Sequence, residues 1–140
     1  MNIAVVGGAG YIGSHVVLAV QDAGHTAIIF DNFSKGSQAN IDATGASFFE
    51  GDIRSQEDCD RFFNAHAIDA VIHLAALKSV GQSMQDPGLY MDNNISGTIT
   101  LTNAMLAAGV DTMIFSSSAA VYGQPESVPV KEDDPTVPAS

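Results

Sequence analysis

Short apolar runs alternate with longer stretches of helical spacing over most of the chain. Asn2 followed by Ile3-Ala4-Val5-Val6 predicts a strand, and Tyr11–Ala23 reads as a helix stopped by Gly24, since a glycine after the last periodic residue accepts a left-handed turn. Thr26–Phe30 predicts a second strand ending on Asp31, and Ser47–Glu50 a third that runs into Gly51-Asp52. Between those two strands, Asn32–Gly45 is a mostly polar connection with room for a short helix. Ser55 with Glu57 and Asp58 behind it marks a helix start, and that helix reaches about His66. Ala70–Leu74 is the fourth strand, followed by a loop rich in small residues. Pro87 then opens a long helix to about Ala108, closed by Gly109, and Thr112–Phe115 is a fifth strand delivering Ser116-Ser117-Ser118.

Strands separated by helices in this rhythm predict an α/β fold: a Rossmann-type, doubly wound parallel sheet with right-handed crossovers and strand order 3-2-1-4-5. The strands are nearly unbroken apolar runs, as expected where both faces of a sheet are covered. Beyond Gly123 the pattern changes, and Pro125, Pro129, Pro135 and Pro138 punctuate an acidic, irregular stretch. The expected organisation is a dinucleotide-binding domain over 1–123 and an irregular tail over 124–140.

Composition narrows the function. The 140 residues suffice for one domain with a substantial core, and 46% are hydrophobic against 15% charged. A net charge of −11 argues against nucleic acid and anionic membrane surfaces as partners. There is no apolar run of membrane-spanning length, and the chain starts in a strand with no basic leader before it. Cys59 is the single cysteine, so the expected location is a reducing cytoplasm. The histidines His15, His25, His66 and His73 show no ligand spacing with Cys59, and no metal is expected.

The candidate chemistry lies at the carboxyl ends of the predicted strands, where open α/β sheets bind ligands. Gly7-Gly8-Ala9-Gly10-Tyr11-Ile12-Gly13 follows the first strand and opens the first helix. Gly7 lets the chain turn, Gly10 lets backbone approach a pyrophosphate, and Gly13 lets helix pack on sheet. The helix N-terminus offers unpaired N–H groups to the phosphates. Asp31, 18 residues past Gly13, is placed to accept from a ribose diol, by charge-assisted bonds worth about 1.5–3 kcal/mol each. It would repel a 2′-phosphate, and Asn32-Phe33 beside it supplies no cation, which favours NAD over NADP. Asp52 is positioned to accept from the adenine amine while Ile53 packs on the ring. Leu74-Ala75-Ala76-Leu77 allows backbone to pass close to a ligand, with Lys78 facing substrate or phosphate. Asn93 and Asn94 are poor helix-interior residues, so one of them needs a polar partner, either ligand or neighbouring loop. Among the serines no Gly-x-Ser-x-Gly elbow is present, and a hydrogen-bonding Ser118 near substrate is the simpler reading. His73, inside a strand, reads as a core histidine with its hydrogen bonds met.

Taken together, Gly7–His15, Asp31–Ser34, Gly51–Arg54, Val71–Val80, Asp92–Thr98 and Phe115–Gly123 closely resemble the N-terminal part of the UDP-glucose 4-epimerases, which are extended short-chain dehydrogenases. Leu77–Ser83 and the Ser-Ser-Ser-Ala run are the epimerase-like points, where the sugar-nucleotide dehydratases usually carry Thr-Asp-Glu near Ser118. The resemblance covers essentially the whole chain. It implies that NAD contacts Tyr11, Ile12, Asp31, Asn32, Phe33, Ser34, Lys35, Gly36, Asp52, Ile53, Leu74, Ala75, Ala76, Leu77, Lys78, Asn93 and Ser118. It also implies a UDP-sugar substrate that passes through a 4-keto form, with Ser118 as a catalytic hydrogen-bonding partner of the O4 region.

The family's Tyr-x-x-x-Lys pair should follow a Pro-x-Ser-x-Tyr stretch, which begins here at Pro138-Ala139-Ser140. The tyrosines are Tyr11, Tyr90 and Tyr122, and none has a lysine four residues later. The expectation is therefore an epimerase portion cut before its catalytic base, the sixth strand and the substrate domain, inactive alone and prone to dimerise or self-associate. The alternatives are the equivalent portion of a sugar-nucleotide dehydratase, decarboxylase or reductase, and a non-enzymatic NAD-binding module.

Overall fold

The computed structural model describes residues 1–139; the part of the Pro-x-Ser reading that falls on Ser140 lies outside them. Five parallel strands form one sheet: β1 (Asn2–Val6), β2 (Thr26–Asp31), β3 (Ser47–Glu50), β4 (Ala70–His73) and β5 (Met113–Phe115). Their order is β3-β2-β1-β4-β5, as the alternation of apolar runs predicts.

Because successive strand residues point to opposite faces, the sheet splits the core in two. Ala4, Val6, Ile28 and Phe30 pack with Phe62, Leu101 and Met105 under α3 (Gln56–Ala65) and α6 (Gly97–Ala107). Ile3, Val5, Ala27 and Ile29 pack with Val17, Val20 and Ile41 under α1 (Tyr11–Asp22) and α2 (Gln38–Thr44). The helix ends follow local chemistry: Ser55 accepts from the Asp58 N–H at the start of α3, Ser37 accepts from Asn40 at the start of α2, and Gly24 turns left-handed after α1.

Hydrogen bonding continues one residue past four of the strands. The N–H groups of Gly7, Gly51, Leu74 and Ser116 donate to Phe30, Asp31, Val6 and His73 at 2.8, 3.1, 2.8 and 3.1 Å. The loops that carry the candidate chemistry therefore leave the sheet from fixed points.

Two expectations need correction. The stretch after β4 is not all loop: a short helix, α4 (Val80–Gln85), follows Ser79. The helix expected from Pro87 to Ala108 is not uniform. It begins as α5 (Pro87–Met91), widens into a π-helical turn over Asp92–Ser96, where the Gly97 N–H reaches back to the Asp92 carbonyl, and resumes as α6. Past Ser118 a 3₁₀ turn (Ala119–Tyr122) leads to Gly123, whose Cα is approached closely by the Val137 carbonyl, so the tail doubles back. Among the described residues, no helix is long and apolar enough to cross a membrane.

Candidate functional site

The glycine cluster forms a tight turn pressed between sheet and loop. Gly7 is left-handed at φ +87°, and a Cβ there would meet the Ala75 N at 2.8 Å. A Cβ on Gly13 would strike the Gly7 carbonyl oxygen and lie 2.7 Å from the Gly8 Cα, so only glycine lets α1 start this close to the turn. Gly10 differs: a Cβ there would meet only the Gly7 carbonyl oxygen, at 3.3 Å. In front of it, α1 begins with no side-chain cap and no acid in its first turn, and Tyr11 and Ile12 are 78% and 56% exposed. An open helix start with free N–H groups and no competing carboxylate is an anion site of the kind phosphates use. The residues present thus fit a dinucleotide.

Asp31 has a second task that sequence spacing does not reveal. Its buried carboxylate accepts from the Ala9 N–H at 3.0 Å through Oδ2 and from the Phe33 N–H at 2.8 Å through Oδ1, with Phe33 in the left-handed region at φ 58°. Each oxygen keeps a second lone pair for a ribose hydroxyl. Ala9 is also gripped from the other side, its carbonyl accepting from Ser37 N–H at 3.1 Å and Asn40 Nδ2 at 2.7 Å. Gly36 lies against Ala9, so the 32–40 segment closes over the glycine turn while Ser34 and Lys35 stay exposed. Ser37 and Asn40 were not anticipated; their pairing with a residue about 30 positions earlier leaves no local signal.

Asp52 is more committed than its sequence reading allows. Oδ1 accepts from the Arg54 N–H at 2.9 Å and from Nε at 3.0 Å, while Oδ2 accepts from the Arg54 guanidinium at 2.7 Å and from Asn32 Nδ2 at 3.0 Å. These four donors fill its lone pairs, and the Arg54 guanidinium holds its pKa down at about 2. An adenine amine would have to displace one of them. Arg54 also reaches Asp92 at 3.3 Å, joining the post-β3 loop to the π turn. Ile53 is buried and touches Gly97, where a Cβ would come within 2.8 Å of Ile53 Cγ1. Asn32, Glu50, Gly51, Asp52, Asp58 and Arg61 line an open hollow of about 370 Å³ at this end of the sheet.

The loop after β4 is tied by Asn94. Its Oδ1 accepts from the Leu77 N–H and its Nδ2 donates to the Leu77 carbonyl, both at 2.9 Å, and Asn93 Nδ2 donates to Asn94 Oδ1 at 2.9 Å. The neighbouring loop is therefore the partner of Asn94. Both asparagines sit in the π turn, a distortion frequent at functional sites. Lys78 is exposed. His73, 2% exposed, is only half satisfied: Nε2 lies 3.0 Å from Thr98 Oγ1, Nδ1 has no partner, and burial lowers its pKa to about 4. Ser118 is exposed at the end of the β5 segment, its Oγ accepting from the Ala120 N–H at 3.1 Å with its own proton free to donate. Among the described residues, no three His, Cys, Asp or Glu side chains are grouped to hold a metal.

Comparison with known proteins gives a consistent picture. Residues 3–140 match the model of the NAD dependent epimerase/dehydratase family. The UDP-glucose 4-epimerase of Lacticaseibacillus casei is 46% identical over 140 residues, 100% of this chain and 42% of that protein. That of Azospirillum brasilense is 49% identical over 137 residues, 98% of this chain and 39% of that protein. Among solved structures, UDP-glucose-4-epimerase from Stenotrophomonas maltophila with bound NAD and formylated UDP-arabinopyranose superposes with a TM-score of 0.90 at 44% identity, covering 98% of this chain and 43% of that one. The Thermus thermophilus UDP-glucose 4-epimerase complex with NAD gives 0.91 at 36% identity, covering 100% and 45%. The chain spans about two fifths of the length of the curated relatives it matches.

Proposed function

The chain belongs to the NAD dependent epimerase/dehydratase family, and from that premise we propose that it is the NAD-binding portion of a UDP-glucose 4-epimerase, which interconverts UDP-glucose and UDP-galactose. The observation that carries the reading is the uncapped, acid-free start of α1 facing the Gly10 gap, with Asp31 buried beside it. The relatives' names and the two NAD-bound neighbours support it.

NAD, when bound, supplies a reversible hydride acceptor for a sugar carbon. The chain's own residues orient it. The N–H groups at Tyr11 and Ile12 face the pyrophosphate, and Asp31 accepts from the adenosine ribose through its spare lone pairs. Asn32 brings no positive charge to a 2′-phosphate, and one of its Nδ2 protons is already given to Asp52. Ile53 backs the adenine, the Leu74–Lys78 loop and Asn93 flank the far end, and Ser118 presents its hydroxyl proton towards the sugar. The working unit is 1–123, and the stretch after it brings Val137 back against Gly123.

None of the tyrosines has a lysine four residues later. On this reading these 140 residues bind NAD without turning over UDP-galactose. The reading carries with it a cytoplasmic protein that self-associates, supported by the single thiol Cys59 and by exposed Met91, Ile95 and Ile99. Calorimetric titration tests it: NAD should bind at least tenfold tighter than NADP, the cost of burying a phosphate beside Asp31. Equal affinity for the two would refute the assignment.

A further inference from the structure

We propose that Thr98 is a positioning residue for the cofactor, which with His73 behind it and Asn94 ahead of it fixes the Leu74–Lys78 loop against the glycine turn. The inference rests on the NAD reading for its purpose, and on geometry for its existence.

A threonine hydroxyl has one proton. Thr98 Oγ1 lies 2.8 Å from the Asn94 carbonyl, which can only accept, so the proton goes there. The 3.0 Å contact with His73 Nε2 must then be donated by the histidine, which sets the tautomer as Nε2–H. This leaves Nδ1, the atom without a partner, as a bare lone pair. A buried strand residue is thereby linked through Thr98 to the backbone of the π turn, and Asn94 hands the constraint on to both backbone groups of Leu77 at 2.9 Å.

That link matters because little else holds the loop. Among the described residues, its hydrogen bonds to the rest of the protein between the Leu74 N–H on Val6 and the Ser79 N–H on Tyr90 are those two bonds to Asn94. Ala75 is also the residue on which Gly7 closes, at 2.8 Å from a Cβ placed there. If the loop drifts, the wall of the dinucleotide cradle drifts with it. Thr98 and His73 act at one remove, through Asn94.

The test compares Thr98→Val, which keeps the shape and deletes the hydroxyl, with Thr98→Ser, which keeps the hydroxyl. Two quantities are read on the whole chain: exchange of the Leu77 amide by NMR without cofactor, and the NAD dissociation constant by calorimetry. Thr98→Val should speed Leu77 exchange and weaken NAD by about tenfold each, the size of one lost hydrogen bond. Exchange at Val5 and Ile29 should hold, and Thr98→Ser should restore both quantities. Unchanged Leu77 exchange in Thr98→Val overturns the proposal, as does failure of the serine to rescue. Should Thr98→Val not fold, Asn94→Ala reads the last link; wild-type Leu77 protection in that variant is equally fatal. A wild-type chain that takes up no NAD, while Thr98→Val still speeds Leu77 exchange, overturns the cofactor reading and leaves the relay from Thr98 to Leu77 standing.

Discussion

Asp31 and Ala9 are joined across the mouth of the sheet: the carboxylate at the end of β2 accepts the N–H of the glycine turn at 3.0 Å, in a site where Asp31 is only 8% exposed. The residue expected to read the ribose also helps to shape the glycine turn proposed to hold the phosphates.

Asp31→Asn should therefore damage more than specificity. One of the two N–H groups it serves would face an amide donor, costing about 1–3 kcal/mol of stability. Urea denaturation should show that loss, together with a fall in NAD affinity. Weaker binding at wild-type stability would mean that the bond to Ala9 is incidental.

Gly10 and Gly13 should separate binding from folding. Gly10→Ala adds a methyl group whose only neighbour is the Gly7 carbonyl oxygen at 3.3 Å, so melting should barely move while NAD binding drops by more than tenfold as the phosphate gap fills. Gly13→Ala meets backbone and should cost several kcal/mol, as overpacking at an immovable neighbour does. If both variants melt alike, the assignment of Gly10 to the ligand side fails.

His73 makes a pH prediction with a definite sign. Its folded pKa, lowered by burial to about 4, lies below the ordinary 6.5, so the unfolded chain takes up the proton first. The stabilisation is fully present above about pH 6.5 and drains away as pH falls towards 4, by on the order of 3 kcal/mol. Denaturation of the wild type and of His73→Gln from pH 4 to 7 should show this slope in the wild type alone. Parallel curves would argue against a neutral buried histidine.

Cys59 should be inert. It is fully buried, with Sγ 3.7 Å from the Ile53 carbonyl oxygen, and burial first, then the charges of Asp58, Asp60 and Asp52, push its pKa up to about 12. A maleimide at pH 8 should leave the native chain unmodified and label it once urea unfolds it. Rapid native labelling would contradict the packing of α3 against the loop of Asp52 and Ile53.

The strands and the residues at their ends were legible in the sequence because both depend on local pattern. Apolar runs fix β1 to β5 to within a residue, and Gly7, Asp31 and Asp52 occupy the strand ends where they were expected. The departures have tertiary causes. The saturation of Asp52 needs Asn32, 20 residues earlier, as well as Arg54. The helix α4 is six residues long and contains Gly81, too little periodicity to register. His73 looks like any core histidine until Thr98 is found to satisfy only one of its nitrogens. The π turn left only a trace, two asparagines where a helix interior disfavours them, since one surplus residue barely disturbs an apolar pattern.

That surplus residue is absorbed where it stands. A regular turn closes on the fourth residue back, at about 100° per residue, whereas here Gly97 closes on Asp92, the fifth, so the turn takes in one residue more and α6 resumes in the phase α5 would have reached without it. Removing a single residue between 92 and 96 would let the turn close as a regular one, with Gly97 still against Ile53. The change would fall on the widened turn itself, where Asn94 reaches out to both backbone groups of Leu77. One extra position thus alters what a single turn can hold while the helices on either side stay where they are.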